Sequence, residues 1–413
     1  MIAFAQWSSA TSRIDGSALA TSLTTDLAGF AALAFEWDAL VDRSEAGRYF
    51  LRHHWTFAWW QHYAPRGAQL FIVTCRDAQG RLVGVAPLYA DHHPVLGVPA
   101  VRELRLLGTG VDTKTSEHLD FLTERGYERQ VCTALWQHLT ASNQWDRIWM
   151  HQVPATSPNL AYIPTTVGDV IRRSCDQAPY IDTSAGWDAY KQSLGRSMRR
   201  NVEYYKRRLF KEHNCEFSLV EPAQLDEALT ALVRLHQAKW HAIGEAGAFS
   251  CRSLEPFLRQ AARQGLAKGH TRLWTLRIDG RIDAALIGFL DRGVLHYFQK
   301  GFNHAFAANE LGNVIVALCV RACCDDPAIA AFDFMGGGAP YKALWARQST
   351  ENVLIEIRRP SIRAALFDAQ RRLQHQAISI LRTITPMPVR AARRRYRKEQ
   401  QLKRSQQNQG NSH

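Results

Sequence analysis

One layout occurs twice in this chain, and it constrains the fold more than any other feature. Residues 70–75 and 82–89 are apolar and β-branched and flank Asp77-Ala-Gln-Gly-Arg81, which reads as strand, tight turn, strand. Residues 273–278 and 282–290 repeat the pattern across Asp279-Gly280-Arg281, and a third strand is expected over 294–299. Each hairpin is followed by an amphipathic helix and a further strand: 127–141 and 146–151 in the first half, 312–324 and 331–335 in the second. The matched order predicts an α/β (α+β) chain of two similar halves, each with a mixed sheet flanked by helices.

A chain of 413 residues has room for two such units, because single cores stop growing near ~250–300 residues. The expected division is a poorly ordered segment over 1–25, a scaffolding domain over 26–175, a second domain carrying the chemistry over 176–365, a C-terminal helix over 366–387, and a basic disordered tail over 388–413. Within the second domain, helices are expected over 187–210, with Gly195 as a break, over 222–241 and over 256–265, and a late strand over 351–358.

Charge and cysteine usage narrow the function classes. The formal charge is +13, but more than half of it comes from Arg390, Arg393, Arg394, Arg395, Arg397, Lys398, Lys403 and Arg404 against Glu399. The basic character is therefore largely a tail property and does not by itself make the folded body a nucleic-acid binder. The eight cysteines form no Cys-x-x-Cys pair, which argues against a disulfide scaffold. With no secretory pattern and no apolar run of spanning length, a cytoplasmic protein without a transmembrane segment is expected.

Four segments carry residues suited to chemistry. Met335-Gly-Gly-Gly338-Ala-Pro-Tyr341-Lys342-Ala-Leu-Trp345 follows a strand end, where Tyr341 can offer a proton, Lys342 a charge and Trp345 a wall. The segment from Gly301 through Asn309, Gly312 and Asn313 enters a helix whose first N–H groups suit an anion, although Glu310 opposes one. Between Gly195 and Lys211, seven basic residues including Arg200 oppose only Glu203, and their spacing makes a basic helix face. His236 and Trp240 stand one turn apart, so they share a face on which a histidine can relay a proton. The histidines at 53–54, 92–93, 296 and 304 lack the spacing and acidic partners of a metal site, so no structural metal is expected.

The order of Arg199-Arg200, the His236–Trp240 segment, Gly247-Ala-Phe249, Leu276-Arg-Ile-Asp-Gly280, Tyr297 to Phe302, Gly312, Phe332-Asp333-Phe334 and Tyr341-Lys342 with Trp345 resembles a bacterial GNAT-like acyltransferase family associated with cellulose and exopolysaccharide biosynthesis. That family is similar to the peptidoglycan-bridge aminoacyltransferases in carrying two GNAT folds in tandem. The resemblance implies acyl transfer from acyl-CoA, such as acetyl-CoA, to an amine or hydroxyl of a small-molecule or saccharide acceptor, including a polysaccharide or envelope precursor. It implies that Asn309, Gly312 and Asn313 receive the CoA pyrophosphate and that Tyr341 protonates the departing thiolate. Asp333 or His236 would be the general base, and Arg200, Trp240, Lys342 and Trp345 would contact substrate. Two other readings stand beside it: an aminoacyl-tRNA-dependent transferase, and a non-catalytic partner in a polysaccharide-synthesis complex.

Overall fold

The computed structural model of the protein describes residues 19–95, 98–111 and 115–384, and the expected basic tail lies outside them. The first half runs β1 (Ala20–Thr24), α1 (Leu27–Ala32), α2 (Ala34–Arg43), α3 (His53–Tyr63), β2 (Gln69–Arg76), β3 (Leu82–Val95), β4 (Val98–Leu106), β5 (Leu122–Thr123), α4 (Glu128–Ala141) and β6 (Arg147–Pro154). A long strand, β7 (Asp169–Asp182), leads into α5 (Gly186–Ser193), α6 (Arg196–Glu212), β8 (Cys215–Leu219), α7 (Leu225–Ala242), α8 (Leu254–Ala267), β9 (Thr271–Ile278), β10 (Arg281–Asp291) and β11 (Val294–Phe302). The remainder is α9 (Leu311–Asp325), β12 (Ala331–Asp333), α10 (Lys342–Trp345), β13 (Gln348–Arg358) and α11 (Ile362–Ile384).

Both expected hairpins form, for identifiable local reasons. The Asp77 carboxylate accepts the backbone N–H groups of Gln79 and Arg81 at 3.1 and 2.9 Å, closing the first turn. Asp279 and Gly280 take φ of 51° and 84°, the left-handed pair whose twist suits a two-residue hairpin loop. Strand β1 occupies residues expected to be poorly ordered. It pairs with β2, and Ser22 and Thr74 share a 2.7 Å hydroxyl contact.

All thirteen named strands belong to one sheet, in the order β1-β2-β3-β4-β6-β13-β7-β12-β11-β10-β9-β8, with β5 alongside β3. The halves repeat each other: three antiparallel strands, a helix, then a strand parallel to the third. In the first half that parallel pair is β4 with β6, and in the second it is β11 with β12. The centre is an exchange. Strand β13, from the end of the second half, pairs with β6 of the first, while β7 pairs with β12 of the second, and β7 and β13 pair with each other along their length. The expected 175/176 boundary therefore falls inside a strand, and the two halves are joined by backbone hydrogen bonds on both sides of it.

Packing reinforces the join. The larger core combines the first-half sheet and helices with α7, α8 and one face of β10. Trp55 on α3 is fully buried, its ring centroid 4.7 Å from Phe257 on α8 and 5.0 Å from Phe289 on β10. Tyr49 stacks on Phe289 at 4.6 Å, and the buried Arg52 guanidinium meets the Asp291 carboxylate at 2.6 Å. A second core lies on the other face of the second-half strands, under α5, α6 and α9. Strand β11 thus lies between the two cores, with His296 and Tyr297 on opposite faces of it.

Candidate active site in the second half

Strands β11 and β12 run in parallel only through Val294–Ala331, Leu295–Phe332 and His296–Asp333. Strand β12 stops at Asp333 while β11 continues to Phe302, and a register shift opposite Ile287 and Gly288 bends β11 just past that point. The two strands therefore part, and what fills the widening gap defines the site.

Lys300 lies on the diverging part of β11. Its ammonium nitrogen donates to the Gly312 carbonyl at 2.9 Å and stands 4.7 Å from the centre of the Tyr341 ring. Burial, followed by repulsion from Lys239, pushes its pKa down to about 7, so the amine is half-deprotonated near neutrality. The Tyr341 hydroxyl donates to that of Tyr297 at 3.5 Å, and burial raises the pKa of both phenols, so Tyr341 keeps its proton. A group able to accept a proton and one able to donate it thus stand side by side where the strands part.

Residues 196–343 match the family model described as an acetyltransferase (GNAT) domain. The matched stretch lies between the start of α6 and the start of α10, about a third of the chain. Among solved structures, that of FemX aligns over 78% of this chain and 94% of its own, with a TM-score of 0.56 and 10% sequence identity, a likeness of fold. The L-PGS structure from Bacillus licheniformis covers 81% of this chain and 95% of its own at 10% identity, with a TM-score of 0.49. A tandem GNAT protein from the clavulanic acid biosynthesis pathway covers 83% of this chain and 100% of its own at 12% identity, with a TM-score of 0.44. No curated protein matches the sequence. With the internal repeat, the match of residues 196–343 and the likeness to FemX give a tandem GNAT-like fold with a central mixed sheet flanked by helices. No described helix is long and apolar enough to cross a membrane.

The start of α9 has its polar groups engaged. The Asn309 amide donates to Glu212 at 3.4 Å, and the Asn313 amide donates to Glu310 at 2.9 Å. Glu310 itself adopts a left-handed φ of 50° immediately before the helix. At Gly312 a Cβ would stand 2.7 Å from the Phe302 ring, so the glycine lets that ring pack. The three residues are together as expected, but two carboxylates share the place where a pyrophosphate was expected.

The expected catalytic residues do not converge. His236 lies on α7 with both ring nitrogens in use: Nε2 accepts the Trp240 indole N–H at 3.1 Å, and Nδ1 is 3.2 Å from the Gln237 Oε1. Burial pushes its pKa down to about 4, which makes it a neutral packing group and a weak base. Trp240 carries Lys239 over its ring at 5.2 Å. Asp333 lies on the other face of β11 from Tyr341, where its Oδ2 meets His118 Nε2 at 2.8 Å and His296 Nδ1 at 3.0 Å. Those contacts hold its carboxyl far below the usual range despite its burial, so Asp333 stays ionised and is a poor proton acceptor at neutral pH.

The expected substrate contacts are also dispersed. The ammonium group of Lys342 is buried and donates to the Met335 carbonyl at 2.8 Å and to the Gly336 carbonyl, bracing the glycine turn from beneath. That turn is tied on its other side as well: the Gly336 N–H donates to the Glu117 carboxylate at 2.8 Å and the Gly337 N–H to Asp176 at 3.1 Å. Trp345 is in the second core, and its carbonyl accepts the Tyr190 hydroxyl at 2.8 Å. Arg200 is exposed on α6, whose packing face is Val202 and Leu209 with Met198 and Tyr205 beside them.

Sequence reasoning missed Lys300 and His118, and it set His296 aside. A lysine inside Val-Leu-His-Tyr-Phe-Gln-Lys-Gly-Phe was the available signal for the first. His118 gives none, because its partner Asp333 is 215 residues away. His118, His296 and Asp333 are buried, with donor atoms within 4.8 Å of one another, so His296 has an acidic partner that its sequence spacing did not show. Spacing along one segment does not reveal donors brought together from both halves.

Proposed function

We propose that this chain catalyses GNAT-type acyl transfer to an amine, with Lys300 and Tyr341 handling the protons. The attacking nitrogen forms a bond to the acyl carbon, Lys300 takes the proton that the nitrogen sheds, the bond to the leaving group breaks, and Tyr341 protonates that group. The observation that carries this reading is the Lys300 amine, with a pKa of about 7, held over the Tyr341 ring where β11 and β12 part. An amine suits such a base better than a sugar hydroxyl, whose proton is far harder to remove.

The donor that the surroundings favour is an aminoacyl ester carried on tRNA. Helix α6, with its seven basic residues, packs against α9 and the turn before it. Glu212 and Glu310 accept from Asn309 and Asn313, the two asparagines that a pyrophosphate was expected to meet, and their charge opposes one there. Acyl-CoA is the second reading, supported by the match of residues 196–343 to an acetyltransferase domain. The acceptor class implied by the sequence resemblance, a saccharide or a polysaccharide or envelope precursor, belongs to either reading.

Binding of labelled acetyl-CoA and of aminoacyl-tRNA to the full chain separates the two. The expected result is tRNA binding that weakens with salt and with Arg200→Glu, and no saturable acetyl-CoA binding. Saturable acetyl-CoA binding unaffected by Arg200→Glu establishes the second reading. Binding of neither, with no transfer to a panel of amines, would leave a non-catalytic partner.

A further inference from the structure

The geometry points to a divalent zinc site built from His118 Nε2, His296 Nδ1 and Asp333 Oδ2, where the first half meets the strands of the second; we propose that this ion fastens the two together. The inference is independent of the acyl-transfer reading.

The donor set is right for zinc: two imidazole nitrogens and one carboxylate oxygen, all buried, within 4.8 Å of one another. Oδ2 lies 2.8 Å from one nitrogen and 3.0 Å from the other. Tetrahedral zinc about 2.0–2.2 Å from each donor holds the donors roughly 3.3–3.5 Å apart, so both nitrogens would move out from Oδ2 by about half an ångström and towards one another as the ion enters.

The surroundings resemble those that orient metal ligands. His118 Nδ1 is 3.2 Å from Asn352 Oδ1, and the Asn352 amide nitrogen donates to Gln152 at 3.0 Å, so the Asn352 oxygen is left to accept the His118 Nδ1–H. That fixes the tautomer and aims the Nε2 lone pair at Asp333. The other Asp333 oxygen accepts the Met335 N–H at 2.7 Å. With a lone pair on Nε2 and another on Oδ2 only 2.8 Å apart, a positive species must lie between them, either a bound proton or a metal ion. At 2.8 and 3.0 Å the pairs stand at hydrogen-bond distance, and the ion would take the place of the bridging protons. His118, Gln152 and Met335 also hold left-handed backbones, with φ of 52°, 65° and 56°, around this one point. His296 Nε2 is the one ring atom of the set that is buried without a hydrogen-bond partner among the described residues.

The test uses the full chain, purified without metal-affinity resin from zinc-supplemented cells and analysed by elemental mass spectrometry. The expected result is about one zinc per chain, falling to background in His118→Ala and in Asp333→Asn, the latter nearly isosteric so that folding is retained. Should His118→Ala not fold, stripping the wild-type chain with a chelator gives the same information: its Tm falls and is restored by zinc. Zinc at background in a wild-type chain incubated with the ion, or zinc retained equally by wild type and Asp333→Asn, overturns the proposal and leaves an imidazolium–carboxylate pair in its place.

Discussion

Replacing Lys300 by methionine tests the most unusual electrostatic feature of the site. The amine falls from 10.5 in the unfolded chain to about 7 in the fold. At about 1.4 kcal/mol per unit, that difference sets a ceiling of roughly 5 kcal/mol on the cost of holding the ammonium in this position. Partial exposure of the side chain and the bond to Gly312 reduce the net effect to about 1–2 kcal/mol. The sign follows from proton counting: between pH 7 and 10.5 the unfolded chain holds the proton and the folded chain has released it, so this group makes stability rise with pH across that window. Below pH 7 both states are protonated and the full penalty is present. Lys300→Met keeps an unbranched apolar stem and removes the charge, so urea unfolding at pH 6 should find it about 1–2 kcal/mol more stable than wild type, with the gap closing towards pH 10. A variant that is less stable at pH 6, with a slope parallel to wild type, would show that the amine is solvated and that the reasoning fails.

Other consequences of the fold are open to direct measurement. A Cβ at Gly336 would lie 2.3 Å from an Asp176 carboxylate oxygen, so Gly336→Ala should destabilise by about 1–3 kcal/mol in urea and disturb the turn leading to Tyr341. Trp55→Ala empties a fully buried site between α3, α8 and β10 and should cost about 3–5 kcal/mol. Because β7 and β13 are exchanged and this core spans both halves, unfolding of that variant should remain one transition by calorimetry; two resolved transitions would contradict the joined sheet.

The sequence made the local elements legible. Both hairpins, α4, α9 and the break at Gly195 between α5 and α6 lie where periodicity and turn residues put them. The exchange of β7 and β13 was hidden because strand pairing across the chain leaves no local trace. Strand β7 reads Asp-Val-Ile-Arg-Arg-Ser-Cys-Asp-Gln-Ala-Pro, with many exposed side chains, and is ordered by backbone bonds to β13 on one side and, at its end, to β12 on the other. The candidate site was legible only where a residue's role depends on its neighbours in sequence. Tyr341 follows the end of β12 as its place in the sequence implies, whereas Asp333 acquires its properties in part from a histidine in the other half. His236 looked like a base on its helix face, but its own neighbours Gln237 and Trp240 occupy both of its nitrogens.

The central claim is that Lys300 and Tyr341 move the protons of an acyl transfer, and the pH dependence of single-turnover transfer to a simple amine tests it most directly. The account predicts a rate that rises through an inflection near pH 7 in the wild-type chain as Lys300 loses its proton. In Lys300→Arg, which cannot shed its charge, that inflection should vanish and the rate should fall by about 10²–10⁴-fold, while Tyr341→Phe should slow transfer and keep the inflection. An unchanged rate and inflection in Lys300→Arg would contradict the account.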